Sequence, residues 1–88
     1  MKELQSLVKN SIESMHNNGF VHGDVRTNNI LVSNDFTQIW IIDFDWAGRI
    51  KEAKYPMFMN VDIQWPVGAC AGNLILPEHD LKMVENFN

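Results

Sequence analysis

The feature that most constrains the fold is a pair of short apolar runs, each bordered at its outer end by polar residues. The runs are residues 30–32 (ILV) and 39–42 (IWII), and they are separated by residues 33–38 (SNDFTQ), which are rich in turn formers. Runs of β-branched and aromatic residues joined in this way are typical of a β-hairpin. Because a hairpin brings its outer ends together, the polar residues before Ile30 and after Ile42 are expected to lie at one place.

A helix is expected on each side of this hairpin. Apolar residues at three-and-four spacing predict a first helix from about residue 4 to residue 18, with its apolar stripe packed against the hairpin. The stripe consists of Leu4, Leu7, Val8, Ile12 and Met15. Gly19 suits the position just beyond this helix, where a positive φ costs glycine nothing.

The second expected helix is short and begins at Pro77. Its first turn carries Glu78 and Asp80, and one side would carry Leu81, Val84 and Phe87 or Asn88. Residues 20–29 show neither helical nor strand periodicity and are interpreted as a structured loop. Residues 46–76 are interrupted by glycine and proline and are expected to be irregular. The predicted fold class is α+β.

Composition limits the classes of function. The 88 residues carry 7 Lys and Arg against 11 Asp and Glu, so neither nucleic acid nor a membrane is expected as a partner. The lone Cys70 excludes disulfide-rich and cysteine-based zinc domains and fits a reducing, intracellular setting such as the cytoplasm. No apolar run reaches the roughly 18 residues of a membrane helix, so a single soluble domain is expected.

Polar residues at the outer ends of the hairpin form the candidate site. Asp24 and Asn29 precede the first strand, and Asp43 follows the second. Carboxylate and carboxamide oxygens beside a loop suit Mg²⁺, which takes one or two carboxylates together with substrate phosphates. Phosphoryl transfer needs an Asp to orient the attacking hydroxyl, metal-holding groups and a cation. Those roles fall to Asp24, to Asn29 with Asp43, and to Arg26.

These residues resemble a known family. Residues 22–32 (HGDVRTNNILV) look like the H-x-D-x-x-x-x-N catalytic loop of the protein kinase-like superfamily, and residues 41–45 (IIDFD) look like its metal-binding D-F-G segment. The resemblance covers about residues 3–48, and it includes the helix before the loop and the hairpin between the motifs. It implies a partial kinase-like domain over residues 1–88, with a catalytic loop at 22–29 and a metal-binding segment at 43–45.

Carried over by position, the resemblance implies Mg²⁺-dependent transfer of the γ-phosphate of ATP to a hydroxyl. Asp24 is then the catalytic Asp, and Asn29 and Asp43 hold the metal and through it the nucleotide. Arg26 stands where serine/threonine kinases carry Lys, and its charge is compatible with an equivalent contact with the γ-phosphate. His22 is expected to pack beneath the metal-binding segment.

The sequence departs from the family pattern at two positions. Gly23 replaces the Arg that grips a phosphorylated activation loop, and His-Gly-Asp resembles divergent fungal-type kinase-like proteins and aminoglycoside and choline phosphotransferases. Regulation by loop phosphorylation is therefore not expected. Asp45 replaces the Gly of D-F-G, and it either binds metal or faces solvent. Asp80 is the candidate for the buried Asp at a helix start that supports the catalytic loop.

The N-terminal lobe of the superfamily supplies a Gly-rich loop, a Lys and a Glu that hold ATP, and no such elements precede the predicted catalytic loop. The chain is therefore expected to be a truncated or fragmentary copy that is inactive alone. A missing lobe or a partner protein would then dock on its exposed aromatic residues. Two alternatives stay open, namely a non-catalytic pseudokinase-like interaction module and a small-molecule phosphotransferase. The acceptor hydroxyl could belong to a protein or to a small molecule.

Overall fold

The computed structural model of the chain describes residues 2–87. Two α-helices and two pairs of short strands make up its regular structure, and the fold is α+β as predicted. In chain order the elements are α1 (Lys2–Asn17), β1 (Phe20–Val21), a 3₁₀ turn (Thr27–Asn29), β2 (Ile30–Val32), β3 (Ile39–Ile41), β4 (Gly48–Arg49) and α2 (Pro77–Glu85). No helix in this described part of the chain is long and apolar enough to cross a membrane.

The predicted hairpin is present. Strands β2 and β3 pair antiparallel, with Ile30 opposite Ile41 and Leu31 opposite Trp40. The second strand ends at Ile41, one residue earlier than predicted. The backbone N–H of Ile42 nevertheless donates to the carbonyl oxygen of Asn29 at 2.8 Å, so the strands stay in register up to the candidate site.

A second antiparallel pair was not predicted from the sequence. Strand β1 pairs with β4, with Phe20 opposite Arg49 and Val21 opposite Gly48. The N–H of Ile50 also donates to the carbonyl oxygen of Gly19 at 2.9 Å. Strands of two residues are too short to show an alternating pattern, which is why residues 20–21 were interpreted as loop. This pair returns the chain after residues 43–45 to the end of α1.

The main core lies between α1 and α2. Its buried residues are Val8, Ile12, Val25, Met83 and Val84, and hairpin residues on β2 and β3 pack against them. The α1 stripe packs against the hairpin as predicted, and α2 supplies a second apolar surface that was not expected. Full burial of one such side chain contributes roughly 1.5–3 kcal/mol.

Helix α2 begins at Pro77 as predicted but ends at Glu85. Phe87 therefore lies beyond the helix, although it still packs against the core. Asn88, the other residue predicted on that side, lies outside the described residues. The sequence predicts a longer helix because the apolar spacing continues past Glu85, where the helix ends.

A second core organises the long irregular segment. It contains Val21, Tyr55, Ala69 and Ile75, and Trp46 and Trp65 pack against it. Trp46 meets Tyr55 edge to face, with ring centroids 6.2 Å apart. Together with the short strand β4, aromatic and aliphatic anchors thus hold residues 46–76 against the start of the predicted catalytic loop.

Candidate active site

Asp80 on α2 holds the first residues of the predicted catalytic loop. Its side chain is 1% exposed, and its Oδ2 and Oδ1 accept hydrogen bonds from the backbone N–H groups of His22 and Gly23, both at 2.9 Å. His16 Nε2 lies 2.9 Å from the same Oδ2 and donates to it, since a carboxylate oxygen can only accept. A buried carboxylate with three donors is well satisfied, so Asp80 fixes the loop to α2.

His22 connects this loop to the predicted metal-binding segment, residues 43–45. The ring is fully buried, and its Nε2 lies 3.0 Å from the carbonyl oxygen of Ile42. Its Nδ1 accepts from the N–H of Asp24 at 3.1 Å, which leaves Nε2 as the protonated donor. The ring also meets Phe44 edge to face, with centroids 5.2 Å apart. His22 therefore lies beneath residues 42–44 and orients both motifs.

Gly23 occupies a position that other residues fill poorly. Its φ is +90°, and a Cβ added there would lie 2.7 Å from Ile75 Cδ1 and 3.4 Å from Trp46 Cβ. A positive φ is unfavourable for residues with a Cβ, and Ile75 is fully buried. Backbone conformation and packing thus explain why Gly stands here in place of the Arg of the family motif.

Asp24 and Arg26 form an ion pair at the centre of the loop. Arg26 Nε donates to Asp24 Oδ1 at 2.7 Å, and a longer contact of 3.4 Å joins Nη2 to Oδ2. Asp24 is 6% exposed, whereas the Arg26 side chain is 25% exposed. The short contact engages one carboxylate oxygen and leaves the other weakly held, so that Oδ2 is able to accept a hydrogen bond from an incoming hydroxyl.

Asn29 is oriented by its own loop. Its Nδ2 donates to the backbone oxygen of Asp24 at 2.8 Å, and the residue is 6% exposed. The amide nitrogen is thereby used, and the side-chain oxygen is the atom left to act as a ligand. Because the N–H of Ile42 donates to the Asn29 carbonyl, Asn29 lies beside the residue that precedes Asp43.

Asp43 is exposed and has a φ of 61°. A non-glycine residue in the left-handed region is uncommon, and such residues are concentrated at functional sites. The N–H of Asp45 donates to Asp43 Oδ1 at 3.3 Å, which makes a short turn of residues 43–45. The Asp45 side chain is exposed to solvent.

Asn29 and Asp43 carry the oxygen donors that Mg²⁺ prefers. No group of three or more His, Cys, Asp or Glu residues in the range 2–87 is arranged to hold a metal ion unaided. One carboxylate and one carboxamide oxygen, contributed by Asp43 and Asn29, make an incomplete shell of hard ligands. Mg²⁺ retains several waters and takes phosphate oxygens as further ligands, so it tolerates such a partial set.

His16 belongs to the support of this site, although no sequence pattern pointed to it. It lies in the last turn of α1, where a polar residue usually faces solvent. The available sequence signal is Asp80, because a carboxylate that is buried among apolar residues needs hydrogen-bond donors. Of the residues that were predicted, Asp24, Asn29 and the Ile42–Asp43 step are close together, and Arg26 contacts Asp24 directly.

Comparison with known proteins identifies one family model and several relatives that are named as kinases. The family model described as RIO domain matches residues 1–67. A protein of Acanthamoeba polyphaga mimivirus with the name "Putative serine/threonine-protein kinase R436" is 30% identical over 69 residues, 68% of this chain and 24% of its own length. The rice (Oryza sativa subsp. japonica) casein kinase 1-like protein HD16 is 36% identical over 55 residues, 58% of this chain and 8% of that protein.

A third relative is serine/threonine-protein kinase 1 of African swine fever virus (isolate Tick/Malawi/Lil 20-1/1983), which is 37% identical over 49 residues, 53% of this chain and 16% of the viral protein. The chain thus spans less than a quarter of the length of each of these relatives. No solved structure matches it significantly. Because the RIO domain model covers more than half of the residues, the chain belongs to the RIO domain family within the protein kinase-like superfamily.

Proposed function

We propose that this chain carries the catalytic and metal-binding half of a phosphotransferase site that moves the γ-phosphate of ATP to a hydroxyl. The observation that carries the proposal is the hydrogen bond from Ile42 N–H to the carbonyl oxygen of Asn29. This contact closes the base of the hairpin and brings the residue before Asp43 against the end of the catalytic loop. Membership of the RIO domain family supports the same chemistry.

In the proposed reaction the acceptor hydroxyl donates a hydrogen bond to Asp24. Its oxygen attacks the γ-phosphorus, the bond from that phosphorus to the bridging oxygen of ADP breaks, and the hydroxyl proton passes to the Asp24 carboxylate. Arg26 holds Oδ1 of that carboxylate at 2.7 Å and keeps its orientation. Its partly exposed guanidinium also offers positive charge near the transferring group.

Asn29 and Asp43 would hold Mg²⁺. When bound, the ion neutralises negative charge on the nucleotide phosphates. His22 and Asp80 act beneath these residues by fixing the backbone that carries them, and neither would touch the substrate. Burial follows the same order, because His22 and Asp80 are 0% and 1% exposed, Asp24 and Asn29 are 6% exposed, and Asp43 is exposed to solvent.

The acceptor is proposed to be a serine or threonine hydroxyl of a protein. Two of the three relatives described above are named serine/threonine-protein kinases. The resemblance of His-Gly-Asp to small-molecule phosphotransferases favoured a different acceptor. Gly23, however, has a local cause in its φ of +90° and in the contact with Ile75, and that cause is independent of the acceptor.

The proposal is tested by calorimetric titration of the 88-residue chain with MnCl₂, with and without ATP. We expect weak binding of the metal alone and tighter binding when ATP supplies phosphate ligands. Asn29→Ala and Asp43→Asn should abolish most of the heat. Glu13→Gln removes one exposed carboxylate on α1, at a distance from the catalytic loop in the sequence, and should leave the heat unchanged.

Equal heats from the wild type and Asp43→Asn would contradict the proposal and favour a non-catalytic interaction module. Loss of binding in Glu13→Gln to the same extent would also contradict it, because the metal would then be attracted by net charge alone. Circular dichroism of each variant shows whether a lost signal reflects unfolding, and thermal midpoints provide the comparison.

A further inference from the structure

A groove of about 720 Å³ lies next to the Asp24–Arg26 ion pair. Residues 25–28 of the catalytic loop form one wall, and residues 62–64 and the end of α2 form the rest. The groove is open to solvent. Arg26 lines the groove and contacts the Asp24 carboxylate at 2.7 Å, so a molecule lying in it would have one part beside this ion pair.

The charged side chains that line this groove favour a cation. They are Arg26, Asp62 and Glu85, and Arg26 is already paired with Asp24. Glu85 makes a 3.7 Å contact with Lys82, but both side chains are more than half exposed, and such pairs on a helix surface are weak. Asp62 and Glu85 therefore leave a net negative potential away from the catalytic loop.

The apolar part of the lining suits a long basic side chain. Val25 and Met83 are buried at its base, and Ile63 and Phe87 are partly buried beside them. Lys and Arg side chains place their methylene stems on apolar surface while the charged group remains at a polar edge. A groove with an apolar base and carboxylates beside it matches that pattern.

We propose that this groove binds a basic segment of the acceptor protein, with a Lys or Arg side chain directed to Asp62 and Glu85 while the acceptor hydroxyl lies at Asp24. This inference rests on the proposed function and adds the class of acceptor. An extended peptide fits an open groove, whereas small-molecule sites usually enclose most of the ligand surface. Charge complementarity orients such a peptide and excludes acidic ones.

The test is fluorescence anisotropy of the 88-residue chain with three labelled peptides of equal length. Each contains one serine, flanked by arginines, by glutamines or by glutamates. We expect the arginine peptide to bind about tenfold more tightly than the glutamine peptide, and the glutamate peptide to bind least. An aminoglycoside that carries hydroxyl and ammonium groups serves as a competitor and tests for a small-molecule ligand.

Two double variants with the same net charge separate the groove from general attraction. Asp62→Asn with Glu85→Gln should remove most of the preference for the arginine peptide. Glu13→Gln with Glu52→Gln makes the same change of two charges at exposed positions that do not line the groove, and should retain the preference. Gln64→Lys places a positive charge in the groove wall and leaves both carboxylates in place. It should weaken binding of the arginine peptide.

An equal loss of preference for the arginine peptide in the two double variants would overturn the proposal. Complete displacement of that peptide by the aminoglycoside, at an aminoglycoside concentration below that of the peptide, would also overturn it. The Mn²⁺ titration of the Asp62 and Glu85 variant distinguishes the two proposals. If metal binding persists while the peptide shows no preference, only the acceptor inference fails. If metal binding is absent in the wild type, the proposed function itself fails.

Discussion

The carboxylate of Asp80 accepts a 2.9 Å hydrogen bond from the backbone N–H of Gly23, 57 residues earlier in the chain. Through this contact α2 determines the position of the proposed catalytic loop, although it contributes no residue to the proposed chemistry. The loop and the helix are therefore one structural unit, and a destabilising substitution in either one should also disturb the other.

Replacement of Asp80 tests this unit. Asp80→Ala leaves the N–H groups of His22 and Gly23 without acceptors in a buried place, and we expect a loss of roughly 2–4 kcal/mol in the free energy of unfolding. Glu78→Gln changes an exposed carboxylate on the same helix and should stay within about 0.5 kcal/mol of the wild type. Urea denaturation measures both. A small effect of Asp80→Ala, similar to that of Glu78→Gln, would show that the loop does not depend on this carboxylate.

Gly23 and Gly19 form a matched pair for a second prediction. Both have a φ of +90°, but an added Cβ meets Ile75 at Gly23 and meets nothing within 4 Å at Gly19. Alanine at either site introduces backbone strain, and only at Gly23 does it also crowd the core. We expect Gly23→Ala to destabilise the chain by about 1–3 kcal/mol more than Gly19→Ala. Equal thermal midpoints for the two variants would contradict the crowding at Ile75.

Ile12 tests the packing of α1 against α2. Its side chain is fully buried between the two helices and the hairpin, and Ile12→Ala should cost roughly 2–5 kcal/mol of unfolding free energy. Leu31→Ala removes a similar side chain that is 52% exposed, so a much smaller loss is expected. Chemical denaturation of both variants checks the order. A larger loss at Leu31 than at Ile12 would be incompatible with this core.

The parts of the fold that the sequence predicts are those encoded by local patterns. The α1 stripe and the β2–β3 hairpin each show a periodicity within a few residues. The β1–β4 pair and the core around Tyr55 and Ile75 show no such periodicity. The segments that meet there are far apart in the chain, and each segment contributes only one or two residues. The contacts around Tyr55 depend on that distant packing.

The candidate site also contains residues that local sequence patterns identify and one residue that they do not. Asp24, Asn29 and Asp43 were identified from motif spacing, and the convergence of the first two with the Asp43 segment follows from hairpin pairing. His16 was not identified, since a single histidine at the end of a helix carries no pattern. Its role follows only from the burial of Asp80, which requires donors from several elements.

Turnover of ATP gives a fourth prediction. The five glycines of the chain form no Gly-rich phosphate loop, and positioning of the phosphates accounts for most of the catalysis in this reaction. The 88-residue chain alone is therefore expected to show no kinase-like transfer of labelled γ-phosphate to proteins, small hydroxyl compounds or water. Transfer that disappears in Asp24→Ala would contradict this prediction and would show that these residues suffice for activity.

The most direct test of the central claim is paramagnetic broadening of backbone amide signals by Mn²⁺ in the ¹⁵N-labelled chain. If Asn29 and Asp43 hold the metal, broadening should be strongest for amides of residues 24–29 and 42–45 and should vanish in Asp43→Asn. Broadening centred on residues 62 and 85, or unchanged in Asp43→Asn, would contradict a metal site at the catalytic loop.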